Sequence, residues 1–206
     1  MTWRPSFEQA WQEAPLRAGL ARANRWLRHV PDRLAHASRR ARATASVVAG
    51  PAPRQILYIC LGNVCRSPYA EAASRRDAAH WYPQTPQWHS AGLIGPDRPA
   101  PALALEVAAL RGAPLHAHRS KVVTRELVAA SDLIVVMEAY QATELAVRFG
   151  RRRAVVVLGD FDPRPIVTRT ITDPWNKSRE DYVASYGRID RCLAALADCR
   201  RRNAKA

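Results

Sequence analysis

The chain has 206 residues, 32 basic and 18 acidic, for a formal net charge of +14. That length allows one sizeable core with an appendage, and no apolar run approaches the roughly 20 residues of a membrane-spanning helix. Four cysteines, Cys60, Cys65, Cys192 and Cys199, are too few for a disulfide scaffold and match no zinc spacing.

Nearly all the positive charge is arginine, since only Lys121, Lys177 and Lys205 are lysine. The surplus suits phosphorylated substrates, acidic lipid or nucleic acid, and fits equally a genome biased toward Arg and Ala. The N-terminus lacks a continuous apolar core with a cleavage site, so no secretory signal is expected. Thiols in such a chain fit a reducing cytoplasm, where they are more often chemical than structural.

Residues 1–48 read as a basic amphipathic helical segment. Trp3, Phe7 and Trp11 recur every four residues, Leu16, Leu20, Leu27 and Val30 follow among arginines, and Pro31 breaks the pattern. Ala49-Gly50-Pro51-Ala52-Pro53 reads as a linker. Residues 1–53 are therefore expected to form an extension and 54–206 the main domain.

Beyond the linker, strands and helices alternate. Gln55-Ile56-Leu57-Tyr58-Ile59 suits a buried parallel strand. A helix follows, with Ser67 placed to cap it, Pro68 in its first turn and Glu71 near its positive end. A weaker strand precedes Ser90-Ala91-Gly92, and a helix is expected over 100–111. Leu133–Met137 is the clearest strand, followed by a helix from Glu138 that Gly150 terminates. Ala154–Leu158 is the fourth strand. After a loop rich in Pro, Asp and Thr, a final helix near 178–200 opens on a Ser178/Asp181 capping box. The expectation is an α/β fold: a small four-stranded parallel sheet with helices on both faces, plus the helical extension.

The chemistry is concentrated in Cys60-Leu61-Gly62-Asn63-Val64-Cys65-Arg66-Ser67-Pro68, between a strand and a helix. Loops at the carboxyl ends of an open parallel sheet bind ligands. Gly62 and Asn63 tolerate left-handed backbone angles, so the N–H groups can turn inward. Completed by the helix N-terminus, such a nest holds a tetrahedral dianion. The same field favours a Cys60 thiolate, the nucleophilic form. Arg66 offers a planar fork that matches two phosphate oxygens. A Walker-type loop would need Gly-Lys-Ser/Thr, which is absent.

With this loop, Ser90-Ala91-Gly92, His118-Arg119-Ser120, the Asp132-to-Met137 strand and Leu158-Gly159, the chain resembles the low-molecular-weight protein tyrosine phosphatase family over most of 54–198. The resemblance implies a four-stranded parallel sheet, no metal or other cofactor, and a phosphocysteine intermediate. It implies that Leu61, Gly62, Asn63, Val64, Cys65, Arg66 and Ser67 bind the phosphate, and that Asn63, Ser67, Ser90 and His118 hydrogen-bond together to hold the loop.

A phosphatase also needs an acid to protonate the departing oxygen. Asp162-Pro163 and Asp173-Pro174 compete, and either could be a simple turn. In the family the second such Asp acts, which assigns Asp173, with Trp175 as a wall for a substrate ring. The sequence departs from the family at Trp175-Asn176-Lys177-Ser178. It departs again at Leu93-Ile94-Gly95-Pro96, where a shortened loop implies a pocket shallower on one side.

Two other functions fit the motif less well. An arsenate reductase on this fold would pass electrons through further cysteines, and none lies between Cys65 and Cys192. A non-catalytic phosphoprotein-binding module would lack the nucleophile or the acid. Cys65 is read as a packing residue or as a thiol that captures oxidised Cys60. The expected partners are a phosphorylated protein or small aryl phosphate and, through residues 1–48, an anionic membrane surface or acidic protein. No specific nucleic acid is expected. The expected location is cytoplasmic, peripheral to a membrane if the extension binds one.

Overall fold

Four short aliphatic runs become strands: β1 (Gln55–Cys60), β2 (Gln87–Gly92), β3 (Leu133–Val136) and β4 (Val155–Val157). They belong to a computed structural model that describes residues 32–81, 85–150 and 154–203. All pairings are parallel and the spatial order is β2-β1-β3-β4. Ile56, Leu57, Tyr58 and Ile59 of β1 are each fully buried, as a central strand with both faces covered requires.

The helices are α1 (32–48), α2 (Arg66–Arg76), α3 (Ala102–Leu110), α4 (Arg125–Ala130), α5 (Ala139–Phe149) and α6 (Arg179–Asn203). One face of the sheet packs Ile56, Tyr58, Val135 and Val156 against α1, α2, α3 and α6. The other packs Leu57, Ile59, Ile134 and Val136 against α4 and α5. The α/β architecture expected from the alternation is therefore present.

Three local expectations change. Cys65, not Ser67, stands at the N-cap of α2, which has no side-chain cap. Ser67 lies inside the first turn, and its hydroxyl meets Cys60 Sγ at 3.0 Å. Glu71 does not reach the first turn of α2 but pairs with Arg75 at 2.6 Å. Helix α4 was not expected. Six residues show little periodicity, and the signal that marks it is Thr124, whose Oγ1 accepts from Leu127 N. At α6 the expected box forms: Ser178 N donates to Asp181 Oδ2 (3.2 Å) and Asp181 N to Ser178 Oγ (3.4 Å).

Strand order reverses around β1, so the loop after β1 opens at the sheet's switch point, where neighbouring connections diverge to opposite faces. That is where residues 60–66 lie.

Helix α1 packs onto 54–203. Its Ala43 and Val47 are buried in the same core cluster as Tyr58 and Tyr186. Arg200 of α6 donates to Val47 O (2.6 Å) and Gly50 O (3.0 Å), capping the carbonyl end of α1. At its other end Asp32 accepts from Arg169 N at 3.1 Å, and His36 Nε2 donates to Asp162 O at 2.9 Å. Deleting residues 1–50 should therefore cost about 2 kcal/mol of apolar burial and lower the thermal midpoint by roughly 4–8 °C. Differential scanning calorimetry of the full and shortened chains checks this.

Candidate active site

The site is built on the turn from β1 into α2. Cys60 ends the strand, and its Sγ accepts from Asn63 N at 3.2 Å. Asn63 has φ +50, the left-handed angle that turns this amide inward. Asn is among the few residues that adopt it readily. Gly62 is not left-handed; its lack of a side chain serves close packing, since a Cβ there would stand 2.7 Å from Arg98 Nη2.

The Asn63 side chain holds the loop from behind. Nδ2 donates to Ser67 Oγ and Ser90 Oγ, both at 2.9 Å, and Oδ1 accepts from Lys121 N at 2.9 Å. Ser67 Oγ accepts from Asn63, and its own proton faces Cys60 Sγ at 3.0 Å and, farther off, Ala91 O at 3.4 Å. His118 Nε2 lies 2.7 Å from Asn63 O. A carbonyl only accepts, so this nitrogen carries the proton and Nδ1 is the bare one in the neutral ring. Asn63, Ser67, Ser90 and His118 thus share one hydrogen-bonded set, and His118 enters it through main chain. Gly92 lies against the loop: a Cβ there would stand 2.9 Å from Asn63 N, Gly62 C and Leu61 O.

Arg66 is 1% exposed. Its Nη1 donates to Glu138 Oε1 (2.7 Å) and Ile171 O (3.0 Å), and its Nη2 to Asp173 Oδ2 (2.5 Å). Burial opposes its charge, but Cys60, Asp173 and Glu138 outweigh that and hold its pKa above the usual arginine value. Among the described residues its buried Nε has no hydrogen-bond partner.

Glu138 is a functional position that sequence reasoning missed. It directly follows Met137 at the carboxyl end of β3, beside the loop of β1, and that position was the available signal. Buried Gln141 orients it, accepting from Met137 N and Glu138 N and donating to Glu138 Oε1.

The two Asp-Pro candidates separate completely. Asp173 and Trp175 join Cys60, Leu61, Gly62, Val64, Cys65, Arg66, Ile94 and Arg98 around a cavity of about 120 Å³. Trp175 is 52% exposed at this mouth. Asp162 lies elsewhere, paired with Arg188 at 3.0 Å and Arg191 at 3.5 Å. The shortened loop after β2 lines one side of the cavity with Ile94 and Arg98. Arg98 was also missed, since one exposed-looking arginine in a proline-rich loop gives no sequence signal.

The other cysteines are buried. Burial pushes the Cys65 thiol up to about 12, although Tyr182 Oη beside it works the other way. Burial likewise pushes the Cys192 thiol up to about 12. Neither is a nucleophile near neutral pH. Among the described residues no cluster of His, Cys, Asp and Glu is suited to a metal ion.

The profile of the low molecular weight phosphotyrosine protein phosphatase family matches residues 55–205. The chain belongs to this family. It is 34% identical over 140 residues to the low molecular weight protein-tyrosine-phosphatase Wzb of Escherichia coli K12, covering 66% of this chain and 88% of Wzb. The tyrosine phosphatase AmsI of Erwinia amylovora superposes with a TM-score of 0.64 at 27% identity, covering 72% of this chain and 94% of AmsI. A Cys-to-Ser mutant of the arginine phosphatase YwlE, with a phosphorylated active-site serine, superposes with a TM-score of 0.60 at 27% identity, covering 70% and 93%. The chain is thus a phosphatase of the cysteine-dependent class.

The environment of His118 predicts a pH dependence for this phosphatase. Burial lowers the pKa of His118, opposed by its bond to Asn63 O and by Glu71. The unfolded chain therefore takes up the proton first, and stability present above the unfolded value near 6.5 is lost as pH falls below it. Denaturant unfolding at neutral and mildly acid pH should show this loss, and a His118→Gln variant should show less of it.

Proposed function

We propose that the chain hydrolyses phosphotyrosine in proteins, or closely related aryl phosphate monoesters, through a phosphocysteine intermediate on Cys60. One observation carries this reading. Cys60, whose sulfur accepts from Asn63 N, and buried Arg66, whose Nε has no partner among the described residues, line one small cavity together with Asp173.

The steps follow from those positions. Cys60 Sγ attacks phosphorus, forming the S–P bond as the ester P–O bond breaks, and Asp173 gives its proton to the departing oxygen. Water then attacks the phosphocysteine and loses a proton to Asp173. The new O–P bond releases inorganic phosphate and restores the Cys60 thiolate. Arg66, through Nε and a freed Nη2, and the amides of Leu61 to Ser67 bind the three remaining oxygens throughout. Ser90 and His118 keep the loop in place.

The cavity favours an aryl ester. Leu61, Val64, Ile94 and Trp175 present apolar surface for a ring. A phosphorylated guanidinium, the group of an arginine phosphatase, would add a cation beside Arg66 and Arg98. An arsenate reductase is disfavoured because Cys192 and Cys199 lie in the core cluster with α6. A binding module without turnover is disfavoured because Cys60 and Asp173 share the cavity.

Cys60→Ser should abolish turnover of phosphotyrosyl peptides while phosphate or vanadate still binds. Asp173→Ala should slow esters with poor leaving groups by about 100-fold or more, whereas Asp162→Ala should affect catalysis little. Hydrolysis that survives Cys60→Ser, or phosphoarginine turned over faster than phosphotyrosine, would sink this assignment.

The partner surface is proposed to be anionic membrane, reached through the basic extension. No described helix is long and apolar enough to cross a bilayer. On α1, Arg33 and Arg42 are exposed, and Arg202 is exposed near the end of α6 beside it. Trp3, Phe7 and Trp11 lie outside the described residues. Co-sedimentation with anionic vesicles should be strong at low salt, weak at high salt, and reduced in a chain lacking residues 1–50. Salt-independent or undiminished binding would count against it.

A further inference from the structure

Arg98 lies in the loop after β2, at one side of the cavity, and brings its guanidinium to the carbonyl of Gly62 in the Cys60 loop. Nη2 donates to Gly62 O at 2.8 Å and Nε to Gly95 O at 3.1 Å, with Ile94 O more distant at 3.5 Å. The arm is anchored at its base as well, since Arg98 N donates to Ser120 Oγ at 2.9 Å. Two glycines make the approach possible: a Cβ on Gly62 or on Gly95 would run into this guanidinium.

The bond to Gly62 O matters because of the peptide unit it belongs to. The carbonyl of Gly62 and the N–H of Asn63 are opposite ends of one planar trans group and point in opposite directions. That N–H meets Cys60 Sγ at 3.2 Å. A cation on the carbonyl end strengthens the positive end that faces the sulfur, as hydrogen bonds in series polarise one another. The next peptide unit is arranged alike, with His118 Nε2 on Asn63 O and the Val64 N–H at its far end. Arg98 is the charged member of the pair.

We propose that Arg98 is a positioning residue for the nucleophile: by bonding to Gly62 O it fixes and polarises the Gly62–Asn63 peptide, whose N–H stabilises the Cys60 thiolate. This deepens the phosphatase reading and rests on Cys60 being its nucleophile. The shortened loop thus places a charge at the edge of the cavity, where it bears on the anion-binding loop through the Gly62 carbonyl. Arg66 contacts the phosphate; Arg98 acts through the main chain.

The test compares Arg98→Met, which keeps much of the side-chain length without the charge, with Arg98→Lys, which keeps the charge without the fork. Alkylation of Cys60 in the full chain by iodoacetamide, a neutral reagent, is followed against pH and mapped by mass spectrometry. Thermal midpoints and p-nitrophenyl phosphate hydrolysis are measured alongside. In Arg98→Met the alkylation profile should move about 0.5–1 pH unit upward, and kcat/KM should fall about tenfold, less than for loss of a donor touching the oxyanion. Arg98→Lys should stay within about threefold of the parent for kcat/KM and keep the parent profile. An unmoved profile in Arg98→Met, whatever its thermal midpoint, would overturn the proposal, because a scaffolding role alone changes stability and leaves the sulfur's protonation alone. A Lys variant with the full displacement of the Met variant would overturn it too. Alkylation needs no turnover. A displaced profile in a chain that hydrolysed no phosphate ester would therefore count against the substrate assignment and still support the role of Arg98.

Discussion

A guanidinium removed almost completely from water is the constraint around which this site is organised. Dehydrating such a charge costs several kcal/mol unless well-placed acceptors replace the water. Arg66 finds them on two distant parts of the chain: Glu138 at the end of β3, and Ile171 O and Asp173 in the loop after β4. One side chain at the start of α2 therefore ties together the carboxyl end of the sheet and the segment that carries Asp173. Met137 O also accepts from Ile171 N at 3.0 Å, so this segment is bound to β3 by main chain as well.

The Cys60 loop is held in the opposite sense, from outside. Its inward amides must remain fixed for an anion to find them preorganised, and a lone loop would not supply that rigidity. Asn63 bonds to Ser67, Ser90 and the main chain of Lys121. His118 and Arg98 occupy successive carbonyls. Every group in this outer layer comes from an element other than the loop itself, except Ser67. The arrangement turns donors inward and engages the Gly62 and Asn63 carbonyls from neighbouring elements.

Helix α1 adds a second layer to the loop after β4. Asp32 binds Arg169 N, and Arg169 in turn pairs with Asp160 at 2.5 Å. His36 meets Asp162 O, while the Asp162 carboxylate is engaged by Arg188 and Arg191. The first Asp-Pro of that loop is thus a structural anchor, and the second is left at the cavity. Two chemically identical dipeptides receive different roles from their surroundings alone.

The sequence by itself determined the layers and the centre of the site. Short runs rich in β-branched residues such as Ile56–Ile59 and Leu133–Val136 suit buried strands, and Asn63 in the Cys60 to Pro68 turn carries the left-handed angle that its residue type favours. Family resemblance pointed to Asp173, Ser90 and His118. Local pattern failed where partners are far apart in the chain. Glu138 lies 72 residues from Arg66 and Arg98 lies 36 from Gly62, and no periodicity links such pairs. The Ser67 hydroxyl, read as a helix cap, was redirected to Cys60 and Asn63 by tertiary contacts. The prolines and glycine of 49–53 report backbone preference but not what the helix before them packs against; the burial of Ala43 and Val47 appears only once the chain has folded. Strand and loop preferences are set by neighbours within a few residues. The partners of a buried charge are set by which ends of the sheet meet, and only the tertiary structure decides that.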